Sequence, residues 1–249
     1  MMRRAMWVLA IALCLSAPAF ADDQIFDQTY PLPQGGAFTL ENVNGSVQVD
    51  GWERDEVEVR AIKTAQRNRE DLDRVKIEVE TQAGKVAVRT RYPQGTGVDV
   101  AVDYRVRVPS RILLSGVQTV NGSVLVRGVD GSGRLRSVNG NVEVLDSAGR
   151  FSARTTNGNL KLELRRLPDG APMALETVNG SVVLALPSDA QAALNVRSMN
   201  GDFHSDLPVV AQGALSTRAF RGQLGSGGGE ISIRTVNGGI RVLLERPSV

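Results

Sequence analysis

Cysteine is almost absent from this 249-residue chain, and its one copy is Cys14. That residue lies in a stretch that reads as a processing segment. Arg3 and Arg4 open it, an apolar run follows from Met6 to Leu15, and small residues stand at Ala19 and Ala21. The run is too short to span a bilayer, and the pattern predicts a signal peptide, residues 1–21, cleaved after Ala21. Leu13 stands where a lipid-attachment signal wants a small residue before Cys14, so no lipid is expected there. The mature chain then has no thiol, which excludes disulfides and cysteine ligands. Histidine is as scarce, with His204 alone. A metal site needs several converging ligands, so neither metal nor cofactor is expected. Aromatics are 4% of the chain, which argues against a sugar-stacking cleft. Charge of one sign is also lacking. Without Arg3 and Arg4 the 29 basic residues fall to 27, equal to the 27 acidic ones. Whole-chain charge thus gives no argument for binding nucleic acid or an anionic membrane, and no later run is long and apolar enough for a transmembrane helix.

What the chain does have is a repeat. Val-Asn-Gly or a near copy returns with its Asn at Asn44, Asn121, Asn139, Asn157, Asn179, Asn200 and Asn237. The steps from Asn121 to Asn200 are 18, 18, 22 and 21 residues, and self-similarity at such a period signals a stacked repeat architecture. Two positions before the Asn stand Asn42, Thr119, Ser137, Thr155, Thr177, Ser198 and Thr235. Three and five positions after it, apolar residues dominate, as at Val142 and Val144 or Leu160 and Leu162. This period-two alternation on both arms predicts strands with one face inward. The Asn-Gly pair between the arms predicts a tight turn at positive φ. A degenerate eighth copy, Ala219 to Leu224, keeps the Gly and loses the Asn.

Two topologies fit such units: a meander of antiparallel hairpins, or a β-solenoid in which each unit is one coil. The solenoid is favoured, because no helical pattern after residue 115 could cover a single sheet, whereas a coil covers its own inner face. The expected fold is therefore all-β, a β-solenoid over residues 22–249. Residues 116–249 form the regular repeats, and residues 22–115 supply N-terminal strands that cap the stack. Within that cap, residues 55–60, 75–80, 85–89 and 99–108 alternate as strands, with Ala83-Gly84 joining the middle pair as a hairpin. Pro247 closes the other end.

These residues resemble a bacterial family of exported β-strand-repeat proteins, the putative-adhesin domain of unknown function. The likeness runs from about Leu40 to Leu244. It rests on Val-Asn-Gly-Ser-Val, on Gly51-Trp52-Glu53-Arg54-Asp55-Glu56-Val57, on Tyr104 to Pro109, and on Gly225-Ser226-Gly227-Gly228-Gly229. The resemblance implies a β-helix-like fold and a place in the bacterial envelope, in some relatives with a link to envelope stress. It transfers no catalytic residue.

Several residues invite a chemical reading. His204 lies at an outward strand position without a second ligand. The run Gly227 to Gly229 lacks the Lys-Ser/Thr and helix of a phosphate loop. Asn-Gly-Ser at residues 44, 121 and 179 is a formal glycosylation sequon that the repeat already explains. Asp202 alone follows an Asn-Gly, too few acids for a calcium β-roll. Acids such as Asp50, Glu143, Glu163 and Asp206 form no pair that spacing forces, which ranks a polysaccharide-active enzyme last. The column three residues before the Asn says more. It reads Glu41, Gln118, Arg136, Arg154, Glu176, Arg197, Arg218 in the degenerate copy, and Arg234. Stacked at strand spacing, Arg136, Arg154, Arg197, Arg218 and Arg234 would form an arginine stripe able to grip envelope polysaccharide, anionic lipid or an envelope protein. The bland alternative is a solvated face with Glu176 paired between Arg154 and Arg197. The expected function is a non-catalytic, exported envelope protein, periplasmic or at the cell surface or secreted, acting as an adhesin or docking scaffold. An accessory role in envelope-stress sensing is the alternative.

Overall fold

Alternating apolar residues flanked by glycines leave little room for helix, and the computed structural model is all-β apart from one helical turn among the described residues. It describes residues 23–245 except 94, 96, 171 and 212–218. The N-terminal part holds β1 (Gln24–Pro31), β2 (Ala37–Glu41), β3 (Val47–Trp52), β4 (Glu56–Ala65), the turn α1 (Asp71–Arg74), β5 (Lys76–Gln82), β6 (Lys85–Arg91) and β7 (Val100–Pro109). The middle holds β8 (Leu113–Gln118), β9 (Val124–Arg127), β10 (Asp130–Arg136), β11 (Val142–Arg154) and β12 (Leu160–Arg166). Then come β13 (Met173–Glu176), β14 (Val182–Leu186), β15 (Ala192–Asn200), β16 (Phe203–Ser205), β17 (Val209–Ala211), β18 (Ala219–Leu224), β19 (Glu230–Asn237) and β20 (Ile240–Leu244).

The arms on either side of an Asn-Gly do not pair with each other as a hairpin would. Each pairs in parallel with its counterpart in a neighbouring repeat. The arms before the Asn form one ladder, in the order β6, β2, β8, β10, β11, β13, β19, β15. The arms after it form a second, in the order β7, β3, β9, β11, β12, β14, β20, β16. Strand β11 serves both ladders, running unbroken through Asp146, the one described non-glycine residue at positive φ. Inward residues of both ladders, among them Val49, Val126, Val144, Leu162, Leu184 and Val242, are fully buried and form the core.

The spatial order of the repeats is not their order in sequence. The last repeat, around Asn237, lies between those of Asn179 and Asn200. The hydroxyl column therefore stacks as Thr119, Ser137, Thr155, Thr177, Thr235, Ser198. All six are buried. Each donates its hydroxyl to the glycine carbonyl of the adjacent repeat, as Thr155 Oγ1 does to Gly140 O at 2.8 Å and Thr235 Oγ1 to Gly180 O at 2.9 Å.

Two sequence expectations need correction. None of the Asn residues takes a positive φ. They sit at the corners between arms, but as parallel bridge residues, and their amides form a ladder. Asn139 Nδ2 donates to Asn121 Oδ1 and Asn157 Nδ2 to Asn139 Oδ1, both at 2.8 Å. The chain of amides continues through Asn179 and Asn237 to Asn200. The glycine after the Asn does take a positive φ at Gly45, Gly122, Gly140 and Gly238, and close approach requires it in the other repeats too: a Cβ on Gly158 would stand 2.2 Å from Gly140 O, and one on Gly180 2.0 Å from Gly158 O. Finally, the degenerate copy is no parallel coil. Strand β18 runs antiparallel to β15 and to β17. Without an Asn it has nothing to add to the amide ladder, and Phe220 instead stacks on Phe203 with ring centroids 4.8 Å apart.

At the other end the first repeat is covered by antiparallel strands. β4 pairs with β7, β1 with β4, and β5 with β6. Lys63 on β4 ties them together, its ammonium donating to Gln24 Oε1 at 2.8 Å and to the carbonyls of Leu72 and Val75 at 3.2 and 2.7 Å. Burial lowers the pKa of that ammonium, and nearby Lys76 lowers it further.

Candidate docking surface

Period-two alternation that sends positions two and four before the Asn inward sends positions one and three before it outward. Stacking then turns each of these positions into a row. In spatial order the outer row reads Arg89, Glu41, Gln118, Arg136, Arg154, Glu176, Arg234, Arg197, with each residue in register with the next. Arg136, Arg154, Arg197 and Arg234 of the predicted stripe thus share one row, which Arg89 joins. Arg218 lies outside the described residues. Arg197 registers with Ala219 across the antiparallel pair, so the stripe ends at Arg197.

Charge along the row is unevenly balanced. Arg154 pairs with Glu176, and Arg89 pairs with Glu41 at 2.6 Å. The hydrogen bond to Glu41 is the chief reason the Arg89 pKa is raised. Glu176 lies between Arg154 and Arg234 rather than between Arg154 and Arg197, because the last repeat is inserted there. No ion pair among the described residues engages Arg136, Arg197 or Arg234. Five arginines stand in the row against two glutamates, in a chain that is otherwise close to neutral.

Beside the row runs a shallow groove of about 380 Å³. Gly116, Ser152 and Ala174 are among its lining residues, together with Gln118, Arg136, Arg154 and Glu176. Arg134 also lines it, held by a bond from its Nε to Ser115 O at 3.1 Å. The sequence reading missed Arg134 because a column-by-column alignment weighs only recurring residue types. The signal available was its outward phase, two residues before Arg136.

The other candidates stand apart from this surface. His204 is exposed and contacts Asp206 at 2.9 Å. Among the described residues no group of three His, Cys, Asp or Glu could hold a metal ion. The glycine run leads straight into strand β19. Its last member, Gly229, lies against the guanidinium of Arg150, where a Cβ would stand 2.8 Å from Nη2. Arg150 is buried and donates from Nε to Pro168 O at 2.8 Å, and burial lowers its pKa. No described helix is long and apolar enough to cross a membrane.

Comparison with known proteins bears on the family and the fold. Residues 110–243 match the model of a family described as Toastrack DUF4097. The crystal structure of a putative cell adhesion protein from Clostridium sporogenes ATCC 15579 is similar over 89% of this chain and 100% of that one, with a TM-score of 0.53 at 9% identity. That of a putative adhesin from Bacteroides fragilis NCTC 9343 covers 89% of this chain and 98% of its own, with a TM-score of 0.42 at 10% identity. At 9% identity the likeness to the Clostridium sporogenes protein speaks for the fold alone. None of the curated proteins compared with this chain matches it.

Proposed function

This chain belongs to the Toastrack DUF4097 family, and from that premise we propose that it is a non-catalytic, exported envelope protein that acts as an adhesin-like docking scaffold. The parallel ladders are read as a β-solenoid whose repeats serve to multiply one outward row. The reading is carried by that row, five arginines and two glutamates in register across successive strands. Strand spacing of about 4.8 Å repeats a guanidinium at intervals that suit an extended anionic partner. The absence of catalysis is part of the proposal. It is supported by the way outward carboxylates are engaged: Glu176 by Arg154, Glu41 by Arg89, and Glu163 by Lys161 at 2.8 Å. Export is supported by the signal-peptide pattern of residues 1–21, which lie outside the described part.

Replacing Arg136, Arg197 and Arg234 together by Gln tests the reading. The wild type is expected to bind an acidic polymer such as polygalacturonate, or vesicles containing phosphatidylglycerol, more weakly as salt rises. The triple variant is expected to lose that binding while keeping its melting temperature. Equal binding by both proteins, or no binding to either probe, would remove the docking role and leave the row a solvated face.

A further inference from the structure

Three positions of the repeat have a structural duty that hydrogen bonds and close contacts make plain. The hydroxyl two positions before the Asn bonds a glycine carbonyl, the Asn builds the amide ladder, and the Gly makes room for the next coil. The residue just before the Asn has no such duty. In spatial order this position reads Val43, Val120, Val138, Thr156, Val178, Val236 and Met199. Val43 and Val120 are 37% exposed, Val178 is 40% and Met199 63%. These are four of the eight exposed large hydrophobic residues among those described. Strand propensity could account for the choice only at Val236 and Met199, which lie in β19 and β15, because Val43, Val120, Val138 and Val178 lie in bends outside the strands. Their backbone carbonyls accept the N–H of the next Asn, as Val120 O does from Asn139 at 2.8 Å, which any residue can do. The apolar side chains are left without a task inside the fold.

Resting on the docking role proposed above, we infer that this apolar row and the arginine row beside it form one edge that docks on an anionic lipid surface. The two rows are two residues apart on every repeat and run in parallel along the stack. Six steps at about 4.8 Å make the edge roughly 29 Å long. Arginines take lipid phosphates through paired donors. Valine and methionine side chains between and below the headgroups leave water for the acyl boundary, and interfacial binding grows with both contributions. A hydrophilic acidic polymer would satisfy the arginines but leave the apolar row in water, so the lipid surface fits the pair of rows better. Glu41 and Glu176 interrupt the charge, which keeps the attachment reversible and dependent on ionic strength.

Co-sedimentation of the mature protein with vesicles decides the matter. Binding is expected to vesicles of phosphatidylglycerol and phosphatidylcholine and not to phosphatidylcholine alone. Replacing Arg136, Arg197 and Arg234 by Gln should lower the affinity by about a hundredfold, about fivefold per arginine. Replacing Val120, Val178 and Met199 by Ser should lower it by at least about tenfold, since insertion adds to the electrostatic term. The melting temperature of each variant reports whether the fold survives. A V178W variant gives an independent readout: its fluorescence should be quenched by brominated acyl chains. Vesicle binding that the serine variant retains in full, or V178W fluorescence that brominated lipid leaves unchanged, overturns the lipid edge. Retention on polygalacturonate without vesicle binding also overturns it, while leaving the broader docking role standing. Binding to neither overturns both.

Discussion

At Gly158 an added methyl group would stand 2.2 Å from the carbonyl oxygen of Gly140, although Gly158 itself does not take a left-handed φ. The glycine is there for space. Gly84 is the reverse case: it takes φ +70° at the tip of the β5–β6 hairpin, and nothing lies within 4 Å of its would-be Cβ. The two positions separate steric from torsional cost. Gly158→Ala should destabilise the fold by at least about 2 kcal/mol, because backbone must move to admit the methyl. Gly84→Ala should cost about 1 kcal/mol, the ordinary penalty of a left-handed alanine. Denaturant midpoints at constant slope measure both, and equal costs would show that close approach is not what selects glycine at the corners. This distinction was not legible in the sequence. Asn-Gly is the preferred pair of a tight hairpin turn, and it is equally what an amide ladder beside a backbone contact requires. The residue types agree, and only the pairing partners tell the two apart.

Between one strand and the next, the hydroxyl column links the two ladders at the Asn corner. Thr155 is buried, and its Oγ1 is the donor that reaches Gly140 O. Thr155→Val keeps the shape and removes that donor. A loss of about 1–2 kcal/mol is expected, the cost of leaving a shielded carbonyl unmet, and a thermal melt reads it. Here the sequence was informative. A small hydroxyl residue recurring at a position that alternation sends inward has few other uses than a bond along the stack. The capping strands carry a second prediction. Burial pushes the Tyr92 hydroxyl up to about 12 from 10.0, and it acts in the same direction on Tyr104. Folded tyrosines then hold protons that unfolded ones have released. The corresponding stability is fully present below pH 10 and is lost as pH rises towards 12. Tyr92 donates to Val100 O at 3.2 Å in this cap. Tyr92→Phe should flatten part of the fall in denaturant midpoint between pH 9 and 12, and an unchanged slope would assign the alkaline loss elsewhere.

The order of the repeats belongs to the whole molecule. Alternation, hydroxyl column and Asn-Gly corners are alike in the repeats from Asn121 onward, so nothing in one of them names its neighbour, and setting Glu176 between Arg154 and Arg197 took these repeats in chain order. Physical identity of the units is what permits the last repeat to enter between those of Asn179 and Asn200. Among the described residues its strands are then the only parallel support of the Asn200 repeat: β15 pairs in parallel with β19, and β16 with β20. The remaining partner of β15 is β18, which is antiparallel and belongs to the closing segment. Deleting residues 230–249 should therefore do more than remove one repeat from an end. It withdraws an inner repeat on which the Asn200 repeat is paired. Met173–Glu176 and Val182–Leu186 would each lose one flanking strand and keep the other, β11 and β12 respectively. Strands β15 and β17 would be left with β18, and β16 would lose β20, its partner among the described residues. In the truncated chain, amide hydrogen exchange should be fast across Ala192–Asn200 and Phe203–Ser205 and still slow across Leu160–Arg166, where both neighbours remain. In the full-length chain refolding from denaturant, Phe203–Ser205 should gain protection no earlier than Ile240–Leu244, since the later segment supplies the ladder for the earlier one. Protection of Phe203–Ser205 in the truncated chain equal to that in the full-length protein would show that the Asn200 repeat can stack directly on that of Asn179, and that the inserted order is not what holds this end of the molecule together.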